Sequence, residues 1–267
     1  MSESASSEVP LLLRIPRQMG AAGIVIGEQV GGLAILLGQI LARLFPPRVD
    51  RYELVRNLHK MGVRSLSIVV VTALFVGAIM VIQAAPLVTR FNAREIVGWG
   101  AGFATLREVG PLLIALMFSG RVGANNTAEL GTMTVTSQID ALRALAIDPI
   151  SYLVLPRVLS MVVMLFALTV IGDGVAIGGA MVAAEVLLDV DPRSFLNSLV
   201  VLLDEWDLMT GLIKSLVFGF MIALTSCHFG LSVKGGAPGV GRSVNAAVVA
   251  AASGIFILDY FSTYVLG

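Results

Sequence analysis

The feature that most limits the fold of this chain is an apolar run over residues 66–88, which contains no charged side chain. An α-helix of that length is about 35 Å long, enough to cross the hydrocarbon layer of a bilayer. Only 13% of the 267 residues are charged and 57% are hydrophobic, whereas soluble domains carry about 25% charged residues. The chain is therefore predicted to be an integral membrane protein, and a soluble globule or a disordered chain is excluded.

Four more apolar stretches satisfy the same length criterion, over residues 102–120, within 150–186, 208–231 and 244–266. The sequence thus predicts an all-α integral membrane protein with five transmembrane helices. The apolar stretch 21–45 is interrupted by Glu28 and Gln29 and is followed by Pro46, so we expect an interfacial or re-entrant helix there. We expect three regions: a flexible tail (1–18), the interfacial helix with a basic connector (19–64) and the five-span domain (65–267).

The distribution of basic residues predicts the orientation. With the N-terminus in the cytoplasm, thirteen of the eighteen Lys and Arg residues lie on the inner side, as the positive-inside rule requires. The loops on the other side collect acidic residues, among them Glu185, Asp191 and Asp204. We therefore expect a cytoplasmic N-terminus, a basic connector in the cytoplasm and an external C-terminus.

The segment between spans two and three is predicted to form a short amphipathic helix over about residues 136–147. Apolar residues recur at helical spacing from Ile139 to Leu145, Thr136 or Ser137 could cap the helix, and Asp148-Pro149 would end it. Ten or so residues cannot span a bilayer. The helix could dock into a groove of a soluble partner, or it could rest on lipid headgroups, and the pattern leaves both open.

Several separated blocks resemble the MlaE/YrbE family, the permease subunits of MCE-type lipid ABC transporters. These blocks are LREVGPLLIALMFSGRVGA (106–124), AELGTM (128–133), QIDAL (138–142), AIDPISYLVLPR (146–157), GVGRSVNAAVV (239–249) and LDYFST (258–263). They occur in the family's order over roughly residues 50–267. Ser137 departs from the pattern, because family members often carry Glu before the Gln-Ile-Asp triplet.

The resemblance implies an interfacial helix, five spans and a cytoplasmic coupling helix. It also implies a homodimer bound to two cytoplasmic ABC ATPase subunits, to a periplasmic MCE-domain protein and, in some cases, to a small regulatory subunit. The cargo would be lipid, commonly phospholipid, carried between the bacterial inner (cytoplasmic) membrane and the periplasmic carrier. The C-terminus would then be periplasmic.

No enzymatic activity, cofactor or metal is expected in the chain itself. The run from Gly236 to Ser243 approaches a phosphate-binding P-loop but carries Arg242 in place of lysine, and it lies between two spans. We therefore expect a tight cytoplasmic loop there, with ATP bound by the partner ATPase. The balanced charge indicates no nucleic-acid partner, and two isolated histidines and one cysteine indicate no metal site.

Charged residues inside the spans are the first candidate functional residues, because they are costly unless they face water, a partner or a ligand. Arg107 and Glu108 could lie at the mouth of a lipid cavity, where Arg107 would meet a phosphate. Alternatively they could pair between helices, for instance with Asp259 or Lys214. Asp173 and Lys214 could pair with each other or each extend to an interface.

Apolar residues of spans one and two are candidates for the wall that holds acyl chains, and ordinary helix packing explains their spacing equally well. These candidates are Leu74, Ala78, Ile82 and Leu87 in span one, and Leu106 and Leu113 in span two. Gly77 and the glycines at 172, 174, 178 and 179 predict close helix contacts.

The ATPase-facing surface is predicted to include the polar residues of the short helix and its approach. These residues are Glu129, Gln138, Asp140, Leu142 and Arg143; the alternative is a simply solvated helix face. Two other functional classes remain possible: a stand-alone secondary transporter or channel for a hydrophobic solute, and an intramembrane lipid-modifying enzyme. The first lacks a charge-lined path, and the second lacks a clustered nucleophile or metal site.

Overall fold

The computed structural model describes residues 11–44 and 50–266, with side chains from Ile24 onward except those of Val25 and Ile26. Within these ranges the chain folds into eight helices and has no strand, which confirms the predicted all-α fold. The helices are α1 (Leu11–Leu44), α2 (Arg51–Arg90), α3 (Arg94–Val135), α4 (Gln138–Ala144), α5 (Ile150–Leu188), α6 (Pro192–Leu202), α7 (Glu205–Leu231) and α8 (Gly236–Leu266).

Five of these helices, α2, α3, α5, α7 and α8, are long and apolar enough to cross a membrane. Each contains one of the five predicted spans. The helices are longer than the spans, because α2 and α3 extend by several turns into charged sequence beyond the apolar runs. Alternating chain direction places α4 and the α7–α8 turn at one end of the bundle, here named the α4 end. The helix α6 lies at the opposite end, the α6 end.

The helix α1 contacts the bundle only at the α4 end, as far as its described side chains show. Leu36 and Ile40 are buried against the core. Arg43 forms an ion pair with Asp148, and Gln29 is hydrogen bonded to His228 of α7. The expected start of this helix at residue 21 contrasts with the observed start at Leu11. Its position relative to a membrane stays a prediction, and residues 1–10 lie outside the described ranges.

The helices α2 and α5 approach each other closely through reciprocal glycine contacts. A Cβ on Gly77 would overlap the carbonyl of Ala176, and a Cβ on Gly179 would overlap the carbonyl of Leu74. Such contacts let two backbones pack at short range in lipid. The predicted role of the glycines is confirmed here, but a Cβ on Gly174 or Gly178 would meet nothing within 4 Å, so these two do not share it.

Two π-helical turns interrupt α3, at residues Thr105–Val109 and Ser119–Gly123. Each adds one residue to a turn and changes which side chains face the neighbouring helices. The first contains Arg107 and Glu108, and the second contains Arg121. The first turn therefore sets the direction of charged residues inside the apolar run 102–120, and the second sets that of Arg121 at its end.

The short helix exists as predicted, but its ends differ from the prediction. Ser137 adopts φ +58° and makes no capping hydrogen bond, while the Thr136 hydroxyl donates to the carbonyl of Thr132. The expected cap is therefore wrong, since a left-handed residue cannot direct its side chain to the N–H groups as an extended one does. At the other end the helix stops before Ala146, whose φ is +59°.

That C-terminal end is a Schellman motif, in which the amide of Ile147 donates to the carbonyl of Leu142 and the amide of Ala146 to that of Arg143. Asp148 does not end the short helix. It caps α5 instead, accepting hydrogen bonds from the amides of Ile150 and Ser151 and from the Ser151 hydroxyl.

The predicted loop at residues 236–243 is also different in the structure, because these residues form the first two turns of α8. The chain reverses earlier, at Gly235 and Gly236, whose φ values are +87° and +68°. Only glycine adopts such a backbone at no steric cost. Pro238 fits the first turn of the helix, where an amide hydrogen is not needed.

Acidic residues at the α6 end begin two helices. Asp191 accepts a hydrogen bond from the amide of Arg193 at the start of α6, and Asp204 forms a capping box with Asp207 at the start of α7. Carboxylates at these positions also interact favourably with the helix dipoles. These acids therefore stabilise the starts of α6 and α7 at the α6 end.

Candidate functional site

A cluster of charged side chains around the buried Lys214 joins α3, α7 and α8. Lys214 is fully buried; its ammonium group forms an ion pair with Glu108, lies 3.0 Å from Asp259 Oδ1, and donates to Thr263 Oγ1 at 2.7 Å. The contact with Asp259 has ion-pair distance without the directionality of a hydrogen bond. Glu108 therefore pairs with Lys214 between helices of one chain, as one of the two alternatives for this residue expects, and its place at the mouth of a lipid cavity stays a prediction.

Arg107 points to a different partner. Its guanidinium forms an ion pair with Asp207 at 2.5 Å and lies 5.4 Å from the centre of the Phe103 ring. Asp207 belongs to the capping box of α7, so Arg107 ties the first π-helical turn of α3 to the start of α7. The contact of Arg107 with a lipid phosphate stays a prediction.

Asp173 does not pair with Lys214, so that suggested pair is wrong. Both carboxylate oxygens are buried and have no hydrogen-bond partner among the described residues. The ammonium group of Lys214 is paired with Glu108 of α3 and Asp259 of α8. Asp173 of α5 lies instead against Gly110 of α3.

Asp173 is also part of the wall of an apolar cavity of about 420 Å³ between α3, α5, α6 and α7. Among the candidate lipid-contacting residues only Leu106 lines this cavity. The structure therefore does not bring all six apolar candidates into one site.

The four candidates on α2 share a different environment. Leu74, Ile82 and Leu87 are 43–63% exposed, and Ala78 is half-buried. Ile82 also lines a shallow groove with Arg90 of α2 and Leu187 of α5. Leu113 on α3 is half-buried. Helix packing within one copy of the chain therefore does not account for the α2 residues.

The coupling candidates fall into two groups. Gln138, Asp140 and Arg143 are exposed on α4, and Asp140 pairs with Arg143 at 3.2 Å. Ile139 is buried and anchors the helix to the bundle, with Leu142 half-buried beside it. The helix therefore presents a short polar face outward and is anchored through Ile139 and Leu142, while Leu145 after its last turn is exposed.

Glu129 lies deeper, on α3. It forms an ion pair with Lys60, accepts a hydrogen bond from Asn125 at 3.1 Å and lies 3.7 Å from Arg157. A cavity of about 480 Å³ has both Glu129 and Gln138 in its wall. Glu129 is thus connected to α4 through that cavity and does not belong to the outer face of the helix.

A buried polar network around Arg157 was not predicted from the sequence. This side chain is 3% exposed, and its guanidinium donates to Asn126 Oδ1 at 2.9 Å, while Asn126 in turn donates to Ser226. The signal available in the sequence was Arg157 itself, a single arginine that follows Pro156 near the start of an apolar run. Its partners on α3 and α7 could not be named from spacing alone.

A second unpredicted contact fixes α1 beside α4. Arg43 binds both carboxylate oxygens of Asp148, at 2.5 and 3.3 Å. Burial raises the pKa of Asp148, but hydrogen bonds from Ser151, from Arg43 and from backbone amides outweigh burial, so that this pKa lies below its usual value. No group of three or more potential metal ligands occurs in the part of the chain that the structure describes.

Comparison with known proteins assigns the family. Residues 54–265 match the family model described as permease MlaE. A probable ABC transporter permease protein of Synechocystis is 38% identical over 86% of this chain and 88% of its own length. A probable ABC transporter permease protein of Rickettsia felis is 35% identical over 95% of this chain and 98% of its own length.

A plant relative extends this group. The chloroplastic protein trigalactosyldiacylglycerol 1 of Arabidopsis thaliana is 34% identical over 85% of this chain and 65% of its own length. The family match covers all five membrane-spanning helices and α4. The chain belongs to the MlaE permease family of ABC transporters.

Proposed function

We propose that this chain is the permease subunit of an ABC transporter that moves lipid, most readily phospholipid, between the inner membrane and a periplasmic MCE-domain carrier. A separate cytoplasmic ATPase drives the transport. The α4 end faces the cytoplasm and the α6 end the periplasm, in agreement with the distribution of basic residues. The name of the Arabidopsis relative contains that of a galactolipid, which favours a lipid cargo for the family.

The observation that carries the proposal is an apolar face beside a polar cluster. The exposed face of α2 includes Leu74 and Ile82, and α2 contacts the π-helical turn that carries Arg107 and Glu108. A phospholipid needs this combination, with an apolar surface for acyl chains and charged groups for the headgroup. We propose that acyl chains lie along α2 and that Arg107 meets the phosphate when the Asp207 contact opens.

A second copy of the chain would close the lipid path. The α8 helix exposes a row of large apolar side chains toward its C-terminus: Phe256, Ile257, Tyr260, Phe261 and Tyr264. Among the five long apolar helices, α8 and α2 are the least buried, whereas α5 and α7 are the most buried. In the proposal, two copies face each other across this surface and enclose the lipid between them.

The helix α4 transmits motion from the ATPase. Its exposed polar face is the contact surface, and its buried Ile139 and the Arg43–Asp148 pair connect it to the bundle and to α1. ATP binding moves the two ATPase subunits together, and α4 carries that motion into the permease as a rigid body.

The first test is purification of the tagged chain from its native membrane in mild detergent, followed by mass spectrometry of proteins and lipids. An ATPase, an MCE-domain protein and phospholipid in stoichiometric amounts are expected. A chain that purifies alone in several detergents, yet transports a solute in vesicles, would favour a stand-alone secondary transporter. The buried, unpaired carboxylate of Asp173 is the one observation that suits such a transporter.

The second test exchanges the charges of the α4 surface. The double variant Asp140→Arg/Arg143→Asp keeps the net charge and the internal ion pair but reverses the pattern that a partner meets. Loss of ATPase co-purification is expected with normal membrane insertion. The matched control is Arg90→Glu/Glu95→Arg, two exposed residues at the α6 end, which should purify with the ATPase as the parent does.

The third test concerns the lipid face. Leu74→Gln and Ile82→Gln should lower the amount of phospholipid that copurifies. Val163→Gln is the control, because Val163 is 52% exposed on α5 and lies outside the proposed path. An equal loss of lipid from all three variants would mean that the α2 face is ordinary lipid-exposed surface.

A further inference from the structure

A second cavity, of about 210 Å³, lies at the α4 end between α2 and the second π-helical turn of α3. Three basic side chains belong to its wall: Lys60 and Arg64 from α2, and Arg121 from α3. Ser65, Asn125, Asn126 and Glu129 complete its polar lining. Neither the coupling surface on α4 nor the lipid face of α2 includes Arg64, Ser65 or Arg121.

The charge on this wall is positive and only partly neutralised. Glu129 is the one acidic residue among the lining residues, and it is already paired with Lys60. Arg64 and Arg121 are exposed, and neither has an acidic group within 4.0 Å among the residues that the structure describes. Two guanidinium groups at one small cavity favour an anion with several acceptor oxygens.

A buried hydroxyl in the same wall independently indicates a ligand. Ser65 is 1% exposed, and its Oγ has no hydrogen-bond partner among the described residues. Serine and threonine hydroxyls in these helices usually donate to a carbonyl one turn back, as those of Ser160 and Thr169 do. Buried hydroxyl groups are nearly always satisfied, so the Ser65 hydroxyl is available to a group inside the cavity.

The depth of the cavity identifies the source of the anion. Arg64 lies two residues before the apolar run 66–88, and Arg121 lies one residue after the apolar run 102–120. The cavity therefore sits at the boundary of the hydrocarbon layer, where the phosphate groups of membrane lipids are found. Basic pockets between helices at this depth suit lipid headgroups.

We propose that this cavity binds the phosphate of an anionic glycerophospholipid from the leaflet at the α4 end. The guanidinium groups of Arg64 and Arg121 bind phosphate oxygens, and the Ser65 hydroxyl donates to a third acceptor. We propose that this lipid is distinct from the transported one, since Ser65 precedes Leu74, the first residue of the α2 face, by about 13 Å along the helix. The proposal does not depend on the transport function, because it concerns binding alone.

The test measures lipid binding to the full chain. The protein is placed in phosphatidylcholine nanodiscs that contain increasing fractions of phosphatidylglycerol, and bound phosphatidylglycerol is measured by native mass spectrometry. Arg64→Gln/Arg121→Gln should weaken binding about thirtyfold, which corresponds to about 2 kcal/mol for two cations near a membrane surface. The control Arg90→Gln/Arg94→Gln removes two exposed cations at the α6 end and should leave binding within about twofold. Equal weakening in both pairs would overturn the proposal.

Ser65→Ala supplies a readout that a merely structural role would not produce. In the absence of phosphatidylglycerol the variant should be at least as thermally stable as the parent, because it removes an unsatisfied buried hydroxyl. Its affinity for phosphatidylglycerol should nevertheless fall severalfold. A variant that loses stability but keeps its affinity would show that the hydroxyl has another function and would contradict the assignment.

Inorganic phosphate distinguishes the two sources of the anion. Phosphate at millimolar concentration should compete only weakly, because it lacks the acyl chains that hold a lipid at the cavity. Complete displacement of phosphatidylglycerol by inorganic phosphate would mean that the site serves a free anion, and the assignment to a lipid would then be wrong.

Discussion

Lys214 is expected to be the residue on which the stability of the bundle depends most strongly. It is fully buried and neutralises two carboxylates from two other helices, Glu108 and Asp259. At an effective dielectric constant of about 20, the 3.0 Å pair with Asp259 alone has a Coulomb energy of about 5.5 kcal/mol. The cost of desolvation offsets much of this energy, but removal of Lys214 leaves two partly buried carboxylates close together without a counter-charge.

The substitution Lys214→Met tests this arithmetic, because methionine fills a similar volume without charge. Loss of one partner of a buried pair costs about 3–5 kcal/mol, and about 2–4 °C of melting temperature corresponds to each kcal/mol in a chain of this size. We therefore expect the melting temperature in detergent to fall by about 10 °C. The assay is a thermal melt followed by intrinsic fluorescence, with Lys234→Met, an exposed lysine at the α4 end, as the control.

The triple variant Glu108→Gln/Lys214→Met/Asp259→Asn separates charge from packing. It removes all three charges together, so most of the lost stability should return. A triple variant as unstable as Lys214→Met alone would refute the reasoning, because the loss would then come from packing and not from unpaired carboxylates. A melting temperature of Lys214→Met within about 2 °C of the parent would refute it as well.

Three further predictions concern packing, helix ends and pH. Gly77→Ala should destabilise the chain by about 2 kcal/mol, because the new methyl group meets the carbonyl of Ala176 on α5; Gly174→Ala, at an open helical position, should instead stabilise it by up to about 1 kcal/mol. Ala146→Gly should raise the melting temperature slightly, since glycine relieves the left-handed backbone at the end of α4; a decrease would contradict the Schellman geometry. The pKa of Asp148 is lowered in the folded state, so its contribution to stability is complete above its unfolded pKa of about 4 and is lost as the pH falls through the folded value. The melting temperature of Asp148→Asn should therefore fall less between about pH 7 and about pH 3 than that of the parent.

The membrane-spanning architecture could be predicted from the sequence because it depends on local composition. Five apolar runs sufficed to find the five long helices, and the pattern around Ile139 sufficed to find α4. The pairing of Glu108 with Lys214 was one of two open alternatives, since two charges in apolar spans have few partners available. These predictions needed residue types and helix periodicity and nothing from the three-dimensional packing.

Other features depend on contacts between distant parts of the chain. Ser137 and Ala146 carry positive φ angles without being glycine or asparagine, so no sequence signal indicates the turns on either side of α4. The pairs Arg107–Asp207 and Arg43–Asp148 join residues about one hundred positions apart. Loop geometry and helix capping determine which acidic residue each arginine meets. Charge alone is compatible with many other pairs.

The two π-helical turns also make α3 a jointed element. They divide it into three α-helical pieces, with one π-helical turn at the ion cluster and the other beside the cavity lined by Arg64 and Arg121. A helix bends most readily where its hydrogen-bond ladder is interrupted. We therefore expect a displacement of the piece that leads into α4 to bend α3 at these two turns. Arg107 and Glu108 stand on the turn farther from α4, so such a bend would change their direction.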